Sequence, residues 1–189
     1  GGGVGNMTLH LVPRETFVVS DVNPLYLHQL EKLRLDRPYL TVQYCDVLKA
    51  ETFPRTPDGF DTVISLNVIE HMADDRAALE NIRAAMAPDG HCVVLVPSGP
   101  WNYGTVDTAL GHHRRYTRAS LVAVAGAAGF TVERLIPFNR AGSLPWWVAS
   151  RAGAGIVADS DPAAEWRETE AKARAVLAAL GLAAYNPAL

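Results

Sequence analysis

The sequence predicts an α/β fold in which a mostly parallel, doubly wound sheet carries helices on both faces. Three observations predict it. Short β-branched runs alternate with helical stretches over most of the 189 residues, the pattern of βα units rather than of hairpins. A glycine-rich run, Gly1-Gly2-Gly3-Val4-Gly5-Asn6, opens the chain, and only a backbone without Cβ atoms turns so tightly beside a ligand. The next two strands both end on aspartate, Asp21 and Asp46, at the carboxyl edge where open α/β sheets bind ligands. A flexible terminal linker is the competing account of the glycines alone, and Asp21 with the elements behind it argues against that account.

The elements follow in order. Thr16 to Ser20 reads as a β-branched strand ending at Asp21. Asn23-Pro24 supplies a cap and a proline for the first turn of a helix through Leu25, Leu27 and Leu30. Leu40 to Cys45 is the next strand and Phe60 to Leu66 a third. Asp74-Asp75 lead a helix whose apolar positions are Leu79, Ile82 and Met86, and Pro88-Asp89-Gly90 predicts a turn that stops it. His91 to Val96 is the most apolar strand and is expected at the centre of the sheet.

From Pro97 to Tyr116 the chain reads as a long loop rich in Gly, Trp, Tyr and His, and loops of that length in compact domains are commonly functional. Thr117 caps a helix carrying Leu121, Val124 and Ala128 that ends at Gly129. Thr131 to Ile136 is a last expected strand, and Asp161-Pro162 starts an alanine-rich helix through Leu180. Residues 1–140 are therefore read as the core domain. Residues 141–189 are read as a helical tail serving as a lid, a dimer surface or an atypical terminus. There is no internal repeat.

Composition excludes some partners. The net charge of −3 leaves no bulk basic field for a nucleic-acid backbone. Cys45 and Cys92 lie in apolar strand-like runs and read as buried, reduced thiols rather than a disulfide frame or metal site. No apolar run approaches the ~18 residues that a membrane span needs, so a cytoplasmic location is expected.

The dinucleotide reading fits poorly. A pyrophosphate-binding fingerprint needs glycine at its first, third and sixth positions, whereas here the sixth is Asn6 and the glycines fall at Gly1, Gly3 and Gly5. The Tyr/Lys arrangement of many NAD-dependent oxidoreductases is also missing. Two strand-tip carboxylates offer something else: one accepts both hydroxyls of a ribose, the other an adenine amino group. The local alternative is that each aspartate caps the next element, more plausible for Asp46 than for Asp21, because Asn23 already holds that role.

Taken together these segments resemble the class I S-adenosylmethionine-dependent methyltransferases. Gly1 to Gly5 is similar to the family's glycine-rich motif, with Asp21 in the place of its ribose-binding acid. Cys45-Asp46-Val47 is similar to the element that flanks adenine. Phe60 to His71 resembles the fourth-strand motif and its downstream loop, and Ala87 to Leu95 the turn into the fifth strand. The likeness covers roughly residues 1–140 and is nearest to bacterial small-molecule methyltransferases of the ubiquinone-biosynthesis type, including versions fused to glycosyltransferases.

The resemblance implies a Rossmann-like fold, S-adenosylmethionine as cofactor with S-adenosylhomocysteine as product, and a cofactor site formed by Gly1, Gly3, Gly5, Asn6, Asp21, Val22, Asp46, Val47, Asn67 and Val68. Measured against that family, the strand that normally leads into the glycine loop lies outside this sequence. The sheet is therefore expected to show a gap or a replacement there, and the sequence is read as a piece of a longer chain.

Methyl transfer is an in-line displacement that needs alignment and a deprotonated nucleophile. His71, His112 and His113 are the candidate bases. His71 has an equally good alternative role as a partner for the following helix terminus. The segment Gly111-His112-His113-Arg114-Arg115-Tyr116 reads as an acceptor loop, with a solvated basic turn as the plain alternative. Trp101, Tyr103, Arg115, Tyr116 and Asn139 are the candidate acceptor contacts, the aromatics as walls and the arginine as a two-pronged clamp on an anion. The expected partner is a small-molecule acceptor, with a homodimer through the tail as a further expectation. The competing function is a methyltransferase-like binding module without catalysis.

Overall fold

The computed structural model describes residues 1–11 and 14–137. Helix α1 (Asn6–Leu11) follows the glycine run, and strand β1 spans Phe17–Asp21. Helix α2 (Pro24–Arg34) starts as its sequence dictates: Asn23 Oδ1 accepts the Leu25 N–H at 2.9 Å, and Pro24 occupies the first turn. Strand β2 (Leu40–Tyr44) returns parallel to β1, with Phe17 opposite Leu40 and Asp21 opposite Tyr44.

Strand β3 (Phe60–Leu66) leads to a 3₁₀ turn at Ile69–His71 and then to helix α3 (Asp75–Ala84). Asp74 Oδ1 caps α3 by accepting the Ala77 N–H at 2.9 Å, and Ala78, Leu79 and Ile82 form its buried face. Strand β4 (Met86–Leu95) pairs parallel with β3, and Leu66 faces Leu95.

Two sequence expectations change here. Met86 is the first residue of β4 and not the last apolar position of the helix. Pro88-Asp89-Gly90 does not separate helix from strand but lies within β4. Phe60 pairs with Met86 and Thr62 with His91, so residues 87–90 of β4 stand against Asp61 alone. The turn signal is thus spent on a bulge that re-sets the register.

The chain from 97 to 116 is more regular than a loop. A 3₁₀ turn at Pro100–Asn102 and helix α4 (Thr105–Ala109) lie inside it. It closes where Ser98 bridges Tyr116, with the Gly99 N–H donating to the Tyr116 carbonyl at 3.0 Å. Helix α5 (Arg118–Ala127) opens on a reciprocal cap between Thr117 and Ser120. Thr131–Ile136 forms no ladder and is correspondingly mostly exposed. A β-branched run becomes a strand only when it joins a neighbouring strand in a ladder, and no ladder includes this run among the described residues. The expected tail helix and Asn139 lie outside the described residues.

Among the described residues the strands form two parallel pairs, β1 with β2 and β3 with β4, with no ladder joining them. Within that set β4 has a single neighbour, so the central place expected for it is not seen. Leu11 of α1 packs against Phe17 of β1, Ile64 and Leu66 of β3 and Val93 of β4, so an apolar cluster spans the two pairs. The largest cluster gathers Ile69, Leu79, Ile82 and Tyr116 beneath the 97–116 segment. Cys45 and Cys92 are free thiols; burial pushes Cys92 up to about 12 and raises Cys45 as well, so both are inert. Among the described residues no helix is long and apolar enough to cross a membrane.

Candidate functional site

The glycine run is bound down onto β1. The Gly2 N–H donates to the Ser20 carbonyl at 2.7 Å. A Cβ on Gly2 would lie 2.5 Å from Val19 Cγ2, and one on Gly5, where φ is +89°, 2.3 Å from Leu33 Cδ1. Both glycines are therefore required by packing and backbone conformation. The need for Gly2 is set by β1 underneath it.

Asp21, at the tip of β1, is 7% exposed. Its Oδ2 accepts the Gly3 N–H at 3.0 Å and its Oδ1 the Asn23 N–H at 2.9 Å. Each carboxylate oxygen keeps acceptor capacity beyond one N–H. Across the loop stands Val68: a Cβ on Gly1 would lie 3.2 Å from Asp21 Oδ2 and 3.5 Å from Val68 Cγ2. Gly1 thus keeps open a narrow space between the first and third strand tips.

Asn67 makes the turn at the end of β3. It is the one non-glycine residue with positive φ (+52°) among the described residues, and its N–H donates to the Leu95 carbonyl at 2.9 Å. Asparagine tolerates this left-handed conformation better than most side chains.

The remaining cofactor candidates divide. Asp46 closes its own turn: Oδ1 accepts the Leu48 N–H at 3.1 Å, and the Lys49 ammonium lies 3.4 Å from Oδ2. Asp46 therefore closes a local turn and does not cap the next element, the 3₁₀ turn at Ala50–Thr52, whose N-cap is Lys49. Val47 packs into the main core, and its carbonyl accepts from Asn81 Nδ2 at 3.0 Å. Val22 is 52% exposed next to Asp21, and Asn6 begins α1 at the end of the glycine run.

Beyond Asn67 the chain brings His71 to His112. Their rings stand edge to face with centroids 4.6 Å apart and planes at 79°. Both line one cavity with Asn67, Trp101 and Asn102. Burial holds the His71 imidazole below its ordinary value, and the neighbouring His112 pushes the same way. Ligand atoms of Glu70, His71 and His112 fall within 4.8 Å of one another, a spacing that would suit a divalent cation. His113 differs from both. It is exposed, does not line the cavity, and its N–H donates to the Glu70 carbonyl at 2.8 Å.

Asp107, which the sequence reading passed over, organises this loop. It is fully buried. Its Oδ1 accepts from His112 Nδ1 and from Arg115 Nε, each at 2.8 Å, and its Oδ2 accepts the Gly104 N–H at 3.1 Å. Burial pushes the Asp107 carboxyl up, but the bonds from Arg115, His112 and Gly104 outweigh it and hold the group below its usual range.

Most of the residues read as acceptor contacts are committed to protein partners. The Arg115 guanidinium is bound to Asp107 and also reaches the Ser98 carbonyl at 3.3 Å. Tyr116 is buried in the main core and its hydroxyl donates to Asp75 Oδ2 at 2.8 Å, which with burial raises its phenol. The Tyr103 hydroxyl donates to the His112 carbonyl at 2.7 Å and buttresses the loop from outside. Trp101, 65% exposed, is the one aromatic of the set with its surface open on the cavity. Sequence order alone gives no direction to a side chain, so an inward Arg–Asp pair and an outward clamp read the same.

Comparison with known proteins bears on the family likeness and the fold. Residues 1–92 match the family model described as a methyltransferase domain, and residues 146–178, outside the described set, match one described as a chorismate binding enzyme. The chain is 37% identical over 70 residues to the ubiquinone biosynthesis O-methyltransferase of Rhodopseudomonas palustris (strain TIE-1), covering 37% of this chain but only 27% of that protein. It is 27% identical over 114 residues to the tRNA U34 carboxymethyltransferase of Hahella chejuensis, 60% of this chain and 35% of that one. A 29-residue stretch is 69% identical to anthranilate synthase component 1 of Neisseria meningitidis, 15% of this chain and 6% of the relative.

Among solved structures, a putative sarcosine dimethylglycine methyltransferase from Galdieria sulphuraria superposes with a TM-score of 0.63 at 15% identity, over 93% of this chain and 71% of that one. The [4+2]-cyclase SpnF superposes at 0.61 with 18% identity, over 89% and 65%. The match to a methyltransferase domain thus starts at the glycine run and ends inside β4, on a fold held in common with solved methyltransferases.

Proposed function

We propose that the chain binds S-adenosylmethionine across the Gly1–Gly5 loop and moves its methyl group to an O or N atom of a small-molecule acceptor. The observation that carries this reading is the cradle between Asp21 and Val68, floored by glycine where a Cβ would crowd the carboxylate. In it Asp21 takes the ribose hydroxyls while staying tied to Gly3. Asn67 and Val68 flank the ligand on the β3 side, and Asp46 sits by the adenine. The cofactor supplies an electrophilic methyl on a sulfonium and leaves as neutral S-adenosylhomocysteine. His71 and His112 line, together with Asn67, the cavity in which an acceptor would lie. They orient it and receive its proton. Trp101 offers a flat apolar wall.

Calorimetric titration with S-adenosylhomocysteine and with NAD tests the cofactor. Binding of S-adenosylhomocysteine that weakens at least tenfold in Asp21→Ala, with no NAD binding, supports the reading; affinity untouched by Asp21→Ala overturns it. Screening radiolabelled methyl transfer to catechol and to aniline then separates O from N chemistry.

A second reading is a binding module without methyl transfer. The likeness to a protein described as a cyclase favours keeping it, because a shared fold does not fix the reaction. Tight S-adenosylhomocysteine binding with no transfer to any acceptor of either class would support it. We also propose that residues 141–189 form a contact between copies of the chain. Light scattering on the full chain checks this: a monomeric mass at micromolar concentration would end it.

A further inference from the structure

We propose that Asp107 is the positioning residue of this site: it fixes the His112 imidazole with its proton on Nδ1 and leaves Nε2 as the open acceptor beside His71. The inference rests on the methyl-transfer reading for its purpose but not for its chemistry.

The geometry is particular. His112 is tied to Asp107 twice, through its backbone N–H to the Asp107 carbonyl at 2.9 Å and through ring Nδ1 to Oδ1 at 2.8 Å. A carboxylate only accepts, so Nδ1 must carry the proton and the neutral ring's lone pair falls on Nε2. The same logic orients the histidine of hydrolase triads and of metal sites, where a buried carboxylate selects the tautomer. Asp107 is itself held: Arg115 Nε shares Oδ1, and the Gly104 N–H takes Oδ2. Arg115 therefore keeps the carboxylate charged and pointed although it is fully buried.

The charged and titratable groups around His112 are His71 across the ring contact, Glu70 with a carboxylate oxygen within 4.8 Å of both histidines, and Asp107 with its partner Arg115. Two imidazoles at 4.6 Å repel each other when both are charged. With Nδ1–H committed to Asp107, Nε2 is the ring atom of His112 left to take a proton from an acceptor. In the reaction this is a simple transfer. The acceptor O–H or N–H bond breaks, its proton bonds to His112 Nε2, and its electron pair stays on the attacking atom. His113, exposed and off the cavity, takes no part.

A role limited to anchoring the loop would leave the tautomer indifferent to the charge on residue 107. The test is nitrogen-15 NMR of histidine-labelled protein, which reads tautomers directly. Wild type is expected to show His112 as a single Nδ1–H species, and Asp107→Asn to lose that signature while S-adenosylhomocysteine affinity stays within about threefold. Arg115→Gln, which removes the other bond to Oδ1, is expected to keep the Nδ1–H form. An Nε2–H species in wild type overturns the proposal, and so does an unchanged tautomer in a folded Asp107→Asn. Should Asp107→Asn not fold, the wild-type spectrum alone decides. Failure of S-adenosylhomocysteine to bind wild type would strike the cofactor reading and leave the tautomer result standing, so the two failures are distinguishable.

Discussion

Asp21 Oδ2 accepts the Gly3 N–H at 3.0 Å, across 18 residues of chain, and so ties the strand-tip carboxylate to the glycine loop. Loop and acid are one unit. The loop turns without side chains, the carboxylate holds it in place, and the space between them is bounded by Val68. A carboxylate already positioned by two N–H donors loses little freedom when a ligand arrives, which favours affinity.

Replacing Asp21 by alanine removes a charge-assisted contact worth roughly 1.5–3 kcal/mol. We expect S-adenosylhomocysteine affinity to fall about ten- to a hundredfold by calorimetry. Asp21→Asn keeps an acceptor and should lose less.

The glycines at positions 2 and 5 serve packing first. Gly2→Ala forces a methyl to within 2.5 Å of Val19 Cγ2 and 2.9 Å of Leu30 Cδ1. Overpacking of this kind costs about 1–3 kcal/mol. Urea denaturation should show a lowered midpoint with an unchanged slope.

Tyr116 belongs to the frame of the loop. Tyr116→Phe loses the hydrogen bond to Asp75, which retains the Arg114 guanidinium at 2.7 Å. Stability should drop by about 0.5–1.5 kcal/mol, read by urea denaturation, while cofactor affinity stays unchanged. A loss of acceptor affinity without loss of stability would return Tyr116 to the acceptor site.

His71 gives stability a pH dependence. Its folded-state value is lowered below 6.5, chiefly by burial. Between the two values the unfolded chain binds more protons than the folded one, so this contribution is complete above about pH 6.5 and is lost as pH falls through the folded value. Denaturation at pH 7.5 and 5.5 should show the drop, and His71→Gln should remove this part of the slope.

Much of this was legible in the sequence. The caps at Asn23, Asp74 and Thr117 start the helices where their short polar side chains indicated. The strand ending at Asp21 and the apolar runs of β3 and β4 lie where periodicity put them. The failures have physical causes. Met86 continues the helical spacing from Ile82, so nothing local marks the switch to strand. Thr131–Ile136 had the composition of a strand but lacks a ladder partner among the described residues. Asp107 was missed because its meaning comes from a fold-back. It lies in a one-turn helix with no apolar period, and its partners are five and eight residues later. An isolated acid upstream of His112-His113-Arg114-Arg115 was the available signal, and the same fold-back turned Arg115 from clamp to anchor.

The most direct test of the account is a crystal structure of the chain with S-adenosylhomocysteine. The account expects the ribose hydroxyls within hydrogen-bond distance of Asp21 and the sulfur open toward the cavity lined by Asn67, His71 and His112. A ligand bound away from Asp21, or a sulfur facing away from both histidines, would contradict it.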